Sequence, residues 1–173
     1  SGGRPVKQFL DRRTELEIGG NRPSSFARIK LAAKSDGTLT AWDSKSWGTS
    51  GVSGGGVSAT QLPYVFTKIP NLRVNHTGIV TNNGGARAWR APNHPQASYL
   101  TCTALDDLAA KLNMDPLEFF SKNADLTARP DVYRAQLQKA GEMIGWKKLW
   151  HPRGQPGPGP VKRGLGIGLG TWG

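Results

Sequence analysis

An α+β fold, with a mixed β-sheet that includes a hairpin and packs against two or three helices, is what the 173-residue sequence predicts. Three observations carry that expectation. The stretch ARIKLAAKSDGTLTAWDSKSWGT alternates apolar and polar residues on both sides of an Asp-Gly turn. After residue 96 the apolar period lengthens to that of a helix. Asp115-Pro116-Leu117-Glu118 then spells a helix start: an acid to cap free amides, a proline where no amide is needed, and a glutamate in the first turn.

Taken in order, PVKQFLD has the composition of a short strand, and RRTELEIGG that of a helical turn closed by glycine. The hairpin follows, with Ile29 and Leu31 on one arm, Asp36-Gly37 at the turn, and Leu39, Ala41 and Trp42 resuming on the other. SGVSGGGVSAT reads as a polar loop, and YVFTKIPN and LRVNHTGIVTN as further extended segments. A helix beginning near Ala97 buries Leu105, Leu108, Ala109 and Leu112. LEFFSKNA is a second helix, and Pro130 to about Ile144 a third, with Val132, Leu137, Ala140 and Ile144 inward. HPRGQPGPGP is a stiff linker, and VKRGLGIGLGTWG a glycine-alternating strand. The expected divisions are therefore strands over 1–83, a loop over 84–96, helices over 97–148, a linker over 149–160 and a strand over 161–173. Both ends read as cut, since strands lie almost at the first and last residues.

Composition excludes several function classes. A lone Cys102 rules out an internal disulfide and any cysteine-built zinc or iron–sulfur site within the chain. No apolar run is long enough to cross a bilayer and SGGRPVKQ is not a signal peptide, so no membrane contact is expected; the compartment stays open. The nucleophile-elbow, phosphate-loop and zincin motifs are absent. The glycines at 164, 166, 168 and 170 miss the dinucleotide spacing because 169 is leucine. His76, His94 and His151 are too scattered to read as metal ligands, and Asp106-Asp107 point apart on a helix, so both carboxylates read as a solvated face.

The formal charge of +11 raises the alternative of a basic, non-catalytic module that binds nucleic acid or another polyanion. Its distribution argues differently: residues 49–96 hold four Lys/Arg and no carboxylate, while no dense basic helix or tail exists. Within that acid-free stretch lies GARAWRAPNHPQ, a corner stiffened by Pro92 and Pro95, carrying Arg87 and Arg90, and set before a helix N-terminus. Free amides and positive charge there suit an anion or a polar heterocycle bearing a phosphate.

RAWRAPNHPQ, followed by LDDLAAKLNMDPLEFFSKN, resembles the molybdenum-cofactor-binding subunit of the xanthine dehydrogenase and aldehyde oxidoreductase family, with its pattern M-R-A-P-G-x-P-Q, then D-E-L-A, then G-x-D-P. GRPVKQFLDRRTELEIGGNRPSSFARIKLAAKSDGTLTAW and IPNLRVNHTGIVTN are similar to the stretches upstream, so the likeness covers nearly the whole chain. It is nearest in flavour to bacterial periplasmic-type aldehyde oxidoreductases.

The resemblance implies an internal fragment of a larger domain that binds molybdenum–molybdopterin, in the cytosine dinucleotide form, for hydroxylation of a small aldehyde or N-heterocycle with oxygen taken from water. Electrons would leave through iron–sulfur clusters and FAD on other domains or subunits, and these together with the rest of the molybdenum subunit are the implied partners; nucleic acid is not. The cofactor would be met by Arg90, through its main chain near the metal, and by Ala91 and Trp89. Arg22, Pro92 and Asn93 would face substrate, with Asn21 competing for the alignment given to Arg22. Pro92 stands where some members carry a substrate-stacking aromatic, which disfavours flat purines. No side chain here would ligate metal, and the family's glutamate base would lie beyond Gly173, so no catalytic residue is expected in this chain and no turnover from it alone.

Overall fold

The computed structural model describes residues 2–20, 22–52, 62–87, 91–155 and 157–171, Leu16 without its side chain. Helix α1 (Arg12–Ile18) is capped at its start by the Asp11 carboxylate, which accepts from the Thr14 amide at 2.8 Å. The hairpin forms as expected. Strands β1 (Ser25–Ala33) and β2 (Leu39–Thr49) pair antiparallel across a turn in which Gly37 has φ +86°, a region open to glycine. The Asp36 carboxylate accepts from both the amide and the hydroxyl of Thr38, at 2.9 and 3.0 Å, and closes the turn.

Strand β3 (Asn71–Ile79) then pairs parallel to β2, giving a mixed three-stranded sheet in the order β1-β2-β3. Parallel pairing needs a crossover, and residues 50–70 supply it. Its described part departs from the extended strand expected for YVFTKIPN: residues 63–65 bend, Val65 has φ +70°, and the Lys68 amide donates to the Leu126 carbonyl at 2.9 Å. Tyr64, Val65, Phe66 and Ile69 are all buried, so the apolar run fills the core instead of alternating across a sheet. SGVSGGGVSAT falls mostly outside the described residues.

The helices cover one face of this sheet. Helix α2 (His94–Lys111) begins three residues before the expected Ala97 and lays Leu105 and Ala109 against β1. Helix α3 (Pro116–Lys122) starts as the sequence spells it, with the Asp115 carboxylate accepting from the Leu117 amide at 2.7 Å. A short 3-10 turn follows at Ala124–Leu126, then α4 (Pro130–Ile144) and α5 (Trp146–Leu149). The inward face of α4 differs from expectation. Tyr133, Leu137 and Gly141 are buried, whereas Val132, Ala140 and Ile144 are exposed. A Cβ on Gly141 would come within 2.8 Å of the Leu117 side chain, so α3 and α4 meet where that glycine leaves room.

Neither terminal strand forms. Residues 4–10 have no regular structure and expose Val6 and Phe9, because no neighbouring strand among the described residues satisfies their backbone. Residues 161–171 likewise join no ladder, yet their leucine and isoleucine side chains turn inward. Leu169 is buried, its amide donating to Cys102 Sγ at 3.3 Å and its carbonyl accepting from Ser98 Oγ at 2.8 Å, while among the described residues nothing stands within 4 Å of a Cβ built on Gly164, Gly166, Gly168 or Gly170. Burial pushes the Cys102 thiol pKa up, as suits a buried small residue. Asp106 and Asp107, expected to be a solvated pair, converge on the Arg153 guanidinium and moor the linker to α2.

Candidate functional site: the corner before helix α2

Four segments meet beside the N-terminus of α2. After β3 the chain runs back along residues 50–52: the Val52 amide donates to the Asn83 carbonyl at 3.0 Å and the Ala86 amide to the Ser50 carbonyl at 3.3 Å. Two glycines make the approach possible. Gly51, at φ +74°, would put a Cβ 2.8 Å from Gly85 Cα; Gly20, at φ +88°, would put one 2.7 Å from the Gly85 carbonyl oxygen and against the Arg87 side chain. Gly20, the second glycine after α1, therefore serves to let Gly85 and Arg87 lie against it.

The loop itself is strained. Ala91 has φ +55°, a value that costs a residue with an apolar Cβ about 1–2 kcal/mol, and Asn93, at φ +68°, shares the left-handed region that asparagine tolerates better. Such strain persists where surroundings impose it, and it concentrates at functional sites. Three bonds impose it here: the Arg22 guanidinium donates to the Ala91 carbonyl at 3.3 Å, the His94 amide donates to the same carbonyl at 3.2 Å, and the Gln96 side-chain amide donates to the Pro23 carbonyl at 3.1 Å. Because the Pro23 carbonyl can only accept, Gln96 must turn its Nε2 there. Its Oε1 is left buried with no partner among the described residues. Asn93 gives no side-chain cap to α2 and Pro95 lacks an amide, so the expected row of free amides is shorter than the sequence suggested.

His94, expected as a plain loop histidine, is the first residue of α2. Its Nδ1 lies 2.8 Å from the Tyr64 hydroxyl, and the two rings meet edge to face at 5.4 Å. The same hydroxyl donates to the Thr171 carbonyl at 2.6 Å and accepts from the Thr171 amide at 2.8 Å. Beside this cluster opens a cavity of about 430 Å³, walled by Pro63, Leu72, Arg129 and Tyr133 together with Tyr64 and His94.

Of the residues singled out from sequence, the structure brings Arg22, Ala91 and Asn93 together, with Pro92 exposed between the last two. Trp89 and Arg90 lie outside the described residues, as does Asn21. Tyr64 and Gln96 were missed. Tyr64 sits in a run read as a strand, and Gln96 was only the last letter of a motif. On the sheet, Ser46 Oγ bonds His76 Nδ1 at 2.8 Å; His76 Nε2, Trp42 Nε1 and Ser44 Oγ are buried without partners among the described residues, and burial lowers the His76 pKa. Among the described residues no three His, Cys, Asp or Glu side chains gather as a metal site, and no helix is long and apolar enough to cross a membrane.

This fold is that of a molybdopterin cofactor-binding domain: residues 1–124 match that domain, and the chain belongs to its family. It is similar to the aldehyde oxidoreductase of Megalodesulfovibrio gigas, 28% identical over 99% of this chain and 20% of that protein. It is also similar to one subunit of a probable xanthine dehydrogenase of Bacillus subtilis, 34% identical over 70% of this chain and 17% of that protein. Among solved structures, the aldehyde oxidoreductase from Desulfovibrio gigas aligns with a TM-score of 0.55 at 25% identity, over 76% of this chain and 17% of that one. Quinoline 2-oxidoreductase from Pseudomonas putida 86 shares the fold, with a TM-score of 0.66 at 19% identity over 84% of this chain and 21% of that one. The chain thus spans about a fifth of the length of such relatives. The nucleic-acid alternative gains nothing from these likenesses.

Proposed function

We propose that this chain forms part of a molybdenum hydroxylase that oxidises a small aldehyde or N-heterocycle with water as the source of oxygen. The observation that carries the reading is the corner at residues 91–96: a strained loop held from behind by Arg22, beside a buried Gln96 oxygen that has no partner among the described residues. An unpartnered buried acceptor costs about 1–3 kcal/mol, so it calls for a donor that those residues do not supply. A pterin edge carries such N–H donors, and the corner fits it.

Ala91 and Gln96, with the neighbouring Arg90 and Trp89, would hold the cofactor, in its cytosine dinucleotide form; when bound, it would supply the two-electron oxidising centre. Pro92 and Asn93 would face the substrate. Arg22 would act from behind, since its guanidinium is bonded to the Ala91 carbonyl and fixes the loop that substrate meets. The small Pro92 leaves that wall without an aromatic platform, which favours aldehydes over purines. The catalytic base, the iron–sulfur clusters and FAD would come from the remaining polypeptide and from partner domains or subunits.

The test is the complete subunit, produced in a host that makes the cofactor, with and without Gln96→Leu. Molybdenum and released cytosine nucleotide should each approach one per subunit in the parent and fall at least tenfold in the variant. Full cofactor content in the variant would refute the role of Gln96; its absence from the parent would refute the function.

A further inference from the structure

We infer that Tyr64 is a positioning residue: its hydroxyl fixes the tautomer of His94 and so pins the start of helix α2, and with it the strained loop 91–93, to the chain at Thr171. The inference rests on the proposed role of that loop.

The hydrogens around one oxygen can be counted. A tyrosine hydroxyl has one proton to give and two lone pairs to receive. The Thr171 amide can only donate, and at 2.8 Å it takes one lone pair. The Thr171 carbonyl can only accept, and at 2.6 Å it must receive the single hydroxyl proton, since two facing lone pairs at that distance would repel. One lone pair remains, and His94 Nδ1 lies 2.8 Å from the oxygen, so Nδ1 must carry hydrogen and donate. The tautomer of a histidine is set by the bond that one of its nitrogens makes, and here that bond is to Tyr64.

Position adds to the count. Tyr64 is buried, its ring packs edge to face on the imidazole, and it belongs to the crossover that also fills the core with Phe66 and Ile69. Its amide also donates to Thr101 Oγ1 at 2.9 Å, two turns into α2, so its ring and hydroxyl are held against the helix while reaching partners 30 and 107 residues away in sequence. Loop 91–93 precedes His94 directly, and the His94 amide donates to the Ala91 carbonyl, so movement at His94 is transmitted to the strained residues.

The experiment uses the complete subunit labelled with [15N]histidine and carrying Tyr64→Phe, which keeps the ring, or His94→Phe, which keeps an aromatic ring without the nitrogen. In the parent, the nitrogen shifts of neutral His94 should report hydrogen on Nδ1; in Tyr64→Phe they should move to the Nε2–H form. Amide exchange should accelerate at least threefold in peptides covering both 91–97 and 169–171 in Tyr64→Phe, and in 91–97 in His94→Phe. Hydrogen on Nε2 in the parent, or unchanged exchange in 91–97 in both variants, overturns the inference. If Tyr64→Phe does not fold, the parent spectrum and His94→Phe still decide it. Neither readout needs molybdenum, so a subunit empty of cofactor with His94 in the Nδ1–H form would sink the proposed function and leave the Tyr64–His94 bond standing.

Discussion

Asn123 is where the hairpin and the helices are tied, and replacing it by alanine should cost more than any surface change. Its side chain is 3% exposed and makes three bonds: Oδ1 accepts from the Leu39 amide at 2.8 Å, and Nδ2 donates to the carbonyls of Gly37 at 2.9 Å and Phe119 at 2.8 Å. The Phe119 carbonyl keeps a second donor, the Asn123 amide at 3.2 Å, so truncation orphans two groups, the Leu39 amide and the Gly37 carbonyl. At about 1–3 kcal/mol for each buried polar group left unsatisfied, Asn123→Ala should lose about 2–6 kcal/mol, a large part of the stability of an ordinary domain. Asn123→Asp separates the two halves of the effect: it keeps the acceptor for Leu39 but turns a carboxylate oxygen toward two carbonyls. Its loss should be greatest near neutral pH and shrink in acid, where a protonated carboxyl can again donate. Urea unfolding followed by tryptophan fluorescence measures both. A loss below about 1 kcal/mol for the alanine variant would mean that water satisfies the two groups and that the tie is not what holds the hairpin to α3.

Gly51→Ala should cost about 2–4 kcal/mol, from its positive φ and from overlap with residues 84–85, and should speed amide exchange in 83–87; an unchanged midpoint would mean that the corner yields freely. Trp146→Phe removes the indole N–H that bonds both Asp115 oxygens, at 3.0 and 2.9 Å, and should lower stability by about 1.5–3 kcal/mol in the same urea assay. His151 places its ring nitrogens near the carbonyls of Pro152 and Arg163, at 3.1 and 2.9 Å, and this raises its pKa because only the imidazolium can donate to both. A raised folded-state value means that the stabilisation is full below the ordinary histidine pKa and is lost as pH climbs through the folded one. Exchange in 151–163 should therefore quicken on that rise, and His151→Gln should erase the dependence. Arg73→Ala breaks an exposed pair with Asp43 and should leave the urea midpoint nearly unchanged.

What was legible in the sequence was whatever local chemistry determines. The Asp36-Gly37 turn, the Asp115 cap and the helix of 130–144 all form where their own residues dictate. The inward face of α4 was not legible, because hydrophobicity points to Val132, Ala140 and Ile144 while the contact is made by a glycine that lets Leu117 approach, and absence of a side chain carries no apolar signal. Residues 5–11 and 161–173 have strand-like composition, but a strand exists only when paired, and pairing is a property of the partner. At the site, Pro92, Asn93 and Arg22 stood out by type. Tyr64 did not, because its role depends on partners 30 and 107 residues away that no local pattern brings together.

The parallel pairing of β2 with β3 governs the order in which the molecule can be built. During synthesis the hairpin can close as soon as Thr49 has left the ribosome, and β3 can join it about thirty residues later, once the crossover has emerged. The Tyr64 hydroxyl waits longer, since Thr171 is made 107 residues after it. The nascent chain can therefore carry its sheet and helices well before Thr171 arrives to close the corner beside α2.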